Sequence, residues 1–428
     1  MSDFLIRGQV VDFPDAKTIR HHKKGALVVS GKGRVVWLGP FGKLPKEHAK
    51  LNVLDHGENL VLPGFIDPHI HFPQYRMLAA PGKDLLDWLT RFTFPEEAQF
   101  SDASYAERAA KIFLSLLLAN GTTSASAFCT SHVESVDALF SVARQFGMAM
   151  IAGKTMMDTN APDDVCDTAQ QSYDDSAALI ERWYGKERLQ YAITPRFAVT
   201  SSAEQLQLAG DLLKAHPGMI MQTHLSENHG EIELVAKLFP KARDYTDVYD
   251  SFGLLGKTSL FGHGIHLSEA EKDRLAETGS RIIHCPTSNT FLGSGLFDLR
   301  AAHAAKIKVG LATDVAGGTS YSMLTTMAEG YKVAMLNGYK PAVAEMYNMA
   351  TLGNAQCLNI DAETGSFEEG KWADIIVLDP QATHIQRFRQ QLSENIEDTL
   401  FSLMMLGDDR SIMTTYVAGK RRFRAAIS

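Results

Sequence analysis

The chain has 428 residues, 45% hydrophobic and 21% charged, with a formal net charge of -8 when its 15 histidines are counted neutral. That length and apolar content predict a sizeable core, organised as one large domain with a small companion, and exclude a disordered chain. The acidic balance argues against a general nucleic-acid binder, which needs a basic excess, and for a small-molecule substrate.

The N-terminus, residues 1–7, lacks a charged region followed by an apolar core, and no apolar run approaches the roughly 18 residues that span a bilayer. A cytoplasmic, membrane-free protein is expected. Residues 4–11, 26–30 and 34–38 read as short strands, with Gly31-Lys32-Gly33 as a turn. The far end has the same texture: residues 375–378 and 414–417 read as strands, and Gly419 turns the chain into Arg422-Phe423. The two ends, 1–62 and 366–428, are expected to pair into one small β-sandwich domain. The run Lys420-Arg421-Arg422 with Arg424 reads as a solvated face.

Across residues 63–365, short apolar strands alternate with helical stretches, the signature of repeated βα units. Candidate strands lie at 61–69, 121–128, 148–155, 189–197, 218–225, 258–265, 281–286 and 308–314. Eight of them predict a (β/α)₈ TIM barrel, whose active site would lie at the C-terminal strand ends. Residues 74–100, rich in leucine and aromatics, are too long for an ordinary connection and read as a lid or as a helix packed on the barrel rim. The cysteines, Cys129, Cys166, Cys285 and Cys357, show no C-x-x-C spacing, so neither a disulfide framework nor a thiolate zinc site is suggested and a reducing compartment fits.

The chemistry gathers at the strand ends. The first strand runs through Pro63-Gly64-Phe65-Ile66-Asp67-Pro68-His69-Ile70-His71. Side chains alternate along a strand, so His69 and His71 point the same way and form half a metal site. An isolated H-x-H is more often a packed pair, but strand five ends on His224 and strand eight on Asp314. Three imidazoles and a carboxylate suit Zn²⁺ or Fe²⁺ and leave a position open for water. Glu227 follows His224 in the same loop and could move the proton of that water; it could equally be an acidic residue at the start of a helix over 232–238. His263, between glycines, could orient the water or polarise the substrate, and the stretch His284 to Asn289 could shape the wall. Arg196 and Gln74 offer donors to a heterocycle, against the bland alternative of surface solvation. Cys285 shows no role. The P-C-x-x-C signature that must accompany H-x-E in the cysteine-ligated nucleobase deaminases is absent, which excludes that fold.

The ordered set from Pro63 to His71 with Gln74, Thr194-Pro195-Arg196-Phe197, His224-Leu225-Ser226-Glu227, His263-Gly264, His284-Cys285-Pro286 and Thr313-Asp314 resembles the amidohydrolase superfamily, and within it the guanine deaminases. Trp88-Leu89-Thr90, Phe94-Pro95, residues 245–249 and Asp314-Val315-Ala316-Gly317-Gly318 extend the similarity over nearly the whole chain. The resemblance implies a homodimer with one Zn²⁺ per subunit, Fe²⁺ being the other candidate, held by His69, His71, His224 and Asp314. It also implies hydrolysis of guanine to xanthine and ammonia in purine catabolism. Glu227 would match the proton shuttle, His263 the histidine that assists the water, Asp314 a ligand and second proton acceptor, and Gln74, Arg196 and the backbone of Phe197 the purine-holding positions. The rivals are a mononuclear hydrolase of the same scaffold acting on an s-triazine, another aminopurine, adenosine or cytosine, and a metal-free interaction protein. Gln74, Arg196 and the aromatic lid favour the guanine enzymes, and the complete ligand set disfavours the scaffold.

Overall fold

In the computed structural model, which describes residues 2–83 and 85–426, both chain ends build one sheet. From the N-terminal side come β1 (Phe4–Asp15), β2 (Thr18–Val29), β3 (Val35–Pro40) and β4 (Asn52–Pro63). The middle of the chain supplies β5 (Phe65–His71), β6 (Thr122–Phe128), β7 (Ala149–Gly153), a two-residue β8 (Thr155–Met156), β9 (Leu189–Pro195), β10 (Ile220–Leu225), β11 (Ser259–His263), β12 (Arg281–His284) and β13 (Lys308–Leu311). The C-terminal side adds β14 (Ile375–Leu378), β15 (Ile412–Val417) and β16 (Lys420–Arg424). The terminal sheet has the order β16-β15-β14-β4-β1-β2-β3, and the central strands run β5-β6-β7-β9-β10-β11-β12-β13, all parallel. This is the mixed α/β architecture the sequence predicts, a nearly closed eight-stranded TIM barrel with a separate β domain made by both ends.

One predicted strand proves to be two. The apolar run expected at 61–69 belongs to the terminal sheet up to Pro63 and to the barrel from Phe65, because the chain passes between sheets at Gly64. A Cβ there would sit 2.2 Å from Thr123 Oγ1, so only glycine lets the two layers meet this closely. In the other direction, β1 and β2 extend beyond the predicted ranges into a polar hairpin around residues 15–18, where exposed Lys23 and Lys24 conceal the alternation. The exposed and half-exposed β16 is the solvated basic strand that the sequence suggests.

The barrel closes between its first and last strands through backbone and side chain together. Asp314 N–H donates to His69 O at 3.0 Å and His71 N–H to Val315 O at 2.9 Å. The Asp67 carboxyl accepts both the hydroxyl and the backbone N–H of Thr313; burial pushes its pKa up to about 7. Ile66, Ile151, Ala192, Ile220, Leu260 and Ile283, one from each of six strands, form a buried cluster with residues of the segment 355–360. Asn354 ties that segment to the barrel, donating to Ile66 O and Leu311 O and accepting from Leu311 N–H. Outside, the helix Ala103–Ala119 starts at an Asp102 cap and buries Ala106, Ala110, Phe113, Leu114, Leu117 and Leu118 at helical spacing. Each large apolar side chain buried this way contributes about 1.5–3 kcal/mol.

Residues 85–101 form a chain of short turns: a helix Leu85–Trp88, a π-turn Leu89–Thr93, a helix Phe94–Glu97 and a 3₁₀ turn Ala98–Ser101. They roof the C-terminal mouth of the barrel, with Leu85, Trp88 and Leu89 facing the cavity below. No helix among the described residues is long and apolar enough to cross a membrane.

Candidate active site

Strand geometry places the four candidate ligands together. His69 and His71 project from β5, His224 from β10, and Asp314 follows β13. Asp314 Oδ1 lies 3.4 Å from His69 Nε2 and 3.3 Å from His71 Nε2, and the Nε2 atoms of His71 and His224 are 3.1 Å apart. One ligand atom from each of the four falls within 4.8 Å of every other. His224 Nδ1–H donates to Arg196 O at 2.7 Å, so its Nε2 carries a lone pair toward His71 rather than a proton. His69 Nε2 is buried without a hydrogen-bond partner. Convergent lone pairs with no proton between them are costly unless a cation satisfies them, so these residues fit a divalent metal.

The electrostatics agree. Burial pulls the His71 pKa down to about 4, and burial with the neighbouring imidazoles holds His224 well below its ordinary value, so both rings are neutral ligands at pH 7. Burial pushes Asp314 up, but the surrounding imidazole groups of His69, His71 and His263 outweigh it and keep its carboxyl well below the usual carboxylate range. A second grouping of His69, His263, Cys285 and Asp314 also reaches ligand spacing. There, burial followed by the Asp314 charge raises the Cys285 thiol, which leaves it protonated and a poor ligand. Lys154 points elsewhere: fully buried, it pairs with Asp167 and lies 3.8 Å from Asp175.

Glu227 is not a helix cap. The helix His229–Leu238 is capped by Asn228 and Glu231, which leaves the Glu227 carboxyl to face the cavity. Burial first, then the charge of Asp314, pushes its pKa up to about 8. Its Oε2 is 3.4 Å from His263 Nε2, and its Oε1 accepts from Ser294 Oγ at 3.2 Å. His263 donates Nδ1–H to Asn289 Oδ1 at 2.8 Å, which frees Nε2 toward Glu227 and Asp314. Ser226, His263 and Asp314 all have left-handed backbone, at φ 49°, 68° and 51°. Such strain costs about 1–3 kcal/mol per residue and gathers where side chains must be aimed.

Gln74, Arg196 and Phe197 are buried at the other side of the same cavity, so the surface alternative fails for the first two. Phe197 O is engaged by Thr200, accepting from its N–H at 3.1 Å. The cavity is also lined by Trp88, Leu292 and Gly317. Gly262 explains the glycine beside His263: a Cβ there would meet His69 Cε1 at 2.6 Å. His284, by contrast, does not line the cavity and stacks on Phe297.

Several residues escaped the sequence reading. Glu97, which pairs with Arg196, looks in sequence like one of two first-turn acids after Pro95. Ser294 sits in a Gly-rich loop with no local signal. Glu231 has one, the capping position, and its carboxyl accepts the backbone N–H of Glu227 at 3.0 Å and the hydroxyl of Tyr245 at 2.7 Å. Tyr249, stacked on Tyr245, donates to His224 O at 2.8 Å.

Residues 60–422 match the model of the amidohydrolase family. The chain is 47% identical over 423 residues to the guanine deaminase of Escherichia coli (strain K12), an alignment that covers 97% of this chain and 95% of that protein. Among solved structures, the guanine deaminase of Bradyrhizobium japonicum superposes with a TM-score of 0.97 at 37% identity over all of both chains. The guanine deaminase of C. acetobutylicum, solved with guanine bound in its active site, gives 0.91 at 31% identity, covering 99% of this chain and 100% of that one. A β5 H-x-H, a β10 histidine and an aspartate after β13, joined on one barrel and matched over the full length, place this chain in the amidohydrolase family, among the guanine deaminases.

Proposed function

We propose that this chain hydrolyses guanine to xanthine and ammonia, with one Zn²⁺ held by His69, His71, His224 and Asp314. The observation that carries the proposal is a single buried cavity with that ligand cluster, Glu227 and His263 on one side and the donors of Gln74 and Arg196 on the other. A relative of 47% identity named guanine deaminase, and a solved neighbour with guanine in its site, support the choice of substrate.

When bound, a divalent cation supplies an activated water as nucleophile at neutral pH. Glu227, facing the cavity beside His263, takes a proton from that water and delivers it to the ring nitrogen beside C2 of guanine. His263 Nε2, lone pair exposed, accepts a hydrogen bond from the water and keeps its oxygen aimed at C2. Asp314 accepts the second proton and passes it to the former 2-amino group, which leaves as ammonia when the tetrahedral carbon collapses. Water and guanine thus give xanthine and ammonia with no other reactant. Gln74, Arg196 and the backbone of Phe197 hold the purine, and the roof of Leu85, Trp88 and Leu89 excludes solvent. The same reading takes residues 1–62 and 366–428 as the β domain and 63–365 as the catalytic barrel, and places the enzyme in purine breakdown as a cytoplasmic homodimer.

The test is ammonia release by zinc-loaded protein offered guanine, adenine, cytosine, adenosine or melamine, with Glu227→Gln alongside. Turnover of guanine alone, reduced about 10²–10⁴-fold in the variant, is expected. Turnover of another amine but not guanine would refute the substrate while leaving the metal site standing.

A further inference from the structure

The Glu97 carboxylate is fully buried and binds two cavity residues at once. Both of its oxygens lie 2.8 Å from Arg196 Nη1, and Oε1 also accepts from Gln74 Nε2 at 3.3 Å. Gln74 Oε1 in turn accepts the backbone N–H of Ala316 at 3.2 Å. A carboxylate paired with a guanidinium only accepts, and a main-chain amide only donates. The Gln74 amide is therefore pinned at both ends and cannot turn over: its nitrogen must face Glu97 and its oxygen Ala316.

That leaves a one-sided wall. Gln74 keeps one N–H to spare, and Arg196 keeps the guanidinium N–H groups not spent on Glu97. We infer that Glu97 is a specificity-determining residue: by fixing Gln74 and neutralising Arg196, it makes this end of the cavity offer donors only, which selects a purine with a carbonyl oxygen at C6 over one with an amino group there. The inference rests on the proposed guanine activity. The oxygen at C6 and the neighbouring N7 of guanine are both acceptors. In 2,6-diaminopurine the reacting 2-amino group is the same, but C6 carries a donor that would confront donors, leaving buried polar groups unpaired.

Glu97 is also placed firmly enough to act this way. It belongs to the roof helix Phe94–Glu97, and the adjacent Glu96 anchors that helix by accepting from Arg76 at 2.9 and 2.7 Å and from the Tyr105 hydroxyl at 2.5 Å. Specificity and roof closure thus share one short segment.

The experiment compares kcat/KM for guanine and 2,6-diaminopurine in the zinc-loaded wild type and Glu97→Gln, with calorimetric binding of hypoxanthine, which has the C6 oxygen but no amine to lose. A site built on such hydrogen bonds discriminates by about 10⁴–10⁵. In Glu97→Gln the new amide both donates and accepts, Gln74 keeps only its Ala316 restraint, Arg196 loses its counter-charge, and the guanine preference should shrink at least about tenfold. Guanine itself should lose chiefly in KM, and hypoxanthine should bind more weakly. Glu97→Asp, which keeps the charge but withdraws it by one methylene, is read in the same way if the amide variant does not fold. A preference unchanged in a folded variant, or an equal loss on both purines with hypoxanthine binding intact, overturns the inference. A wild type inactive on guanine would instead sink the proposed function.

Discussion

Glu231 offers a quantitative check on the architecture behind Glu227, the proposed proton-transfer residue. Its carboxyl is buried, accepts the backbone N–H groups of Glu227 and Asn228 at 3.0 and 3.2 Å, and accepts the Tyr245 hydroxyl at 2.7 Å. Burial first, and then the charge of Glu227, raises its pKa from 4.5 to about 7. The native state therefore holds this proton more tightly than the unfolded chain. Between pH 4.5 and 7 the unfolded chain has released the proton and the native state has not, so stability falls as pH rises through that window. A shift of about 2.5 units at 1.36 kcal/mol each amounts to about 3 kcal/mol. Glu231→Gln keeps an oxygen for the two backbone donors and leaves the Tyr245 hydroxyl an N–H to accept from, but it cannot titrate. Urea unfolding followed by circular dichroism at pH 4.5, 5.5, 6.5 and 7.5 should show the variant gaining about 3 kcal/mol on the wild type across the series, whatever its offset at the acid end. Other buried carboxyls such as Asp67 titrate in both proteins and cancel in the difference. Parallel stability curves would refute the assignment of that proton to Glu231.

Two glycines test the packing around the site. Gly262→Ala puts a Cβ 2.6 Å from His69 Cε1; it should weaken zinc binding about 10–100-fold, as loss of ligand orientation does, and retention of wild-type zinc affinity in a chelator competition would contradict this. Gly64→Ala drives a methyl into Thr123 at 2.2 Å and should cost about 1–3 kcal/mol in urea unfolding, part of it recovered when Thr123→Ala is added; no cost would mean that the two sheets need not approach so closely there.

The clustering of His69, His71, His224 and Asp314 was legible because they lie at or just beyond the ends of apolar strands, and strand period and position are local properties of a sequence. Even the error at residues 61–69 was of this kind: the run reads as one strand from residue 61 onward, and only the pairing of Pro63 with Ile375 and of Phe65 with Thr122 reveals that it serves two sheets. Arg196 and Gln74 could be named as candidates, but their burial could not, since a polar side chain near a strand end looks the same whether solvent or a roof lies above it.

By itself the sequence determined the eight-stranded barrel, the terminal β sheet and the four residues that converge at the barrel mouth, because hydrophobic periodicity and motif spacing act over a few residues. The tertiary structure alone decided which polar groups meet. Glu97 finds Arg196 across 99 positions, Ser294 finds Glu227 across 67, and Asp67 closes the barrel on Thr313 across 246. A buried charge or hydroxyl must have a partner, but nothing in its neighbourhood along the chain says which one. The partner is fixed only when the barrel closes and the roof is laid across it.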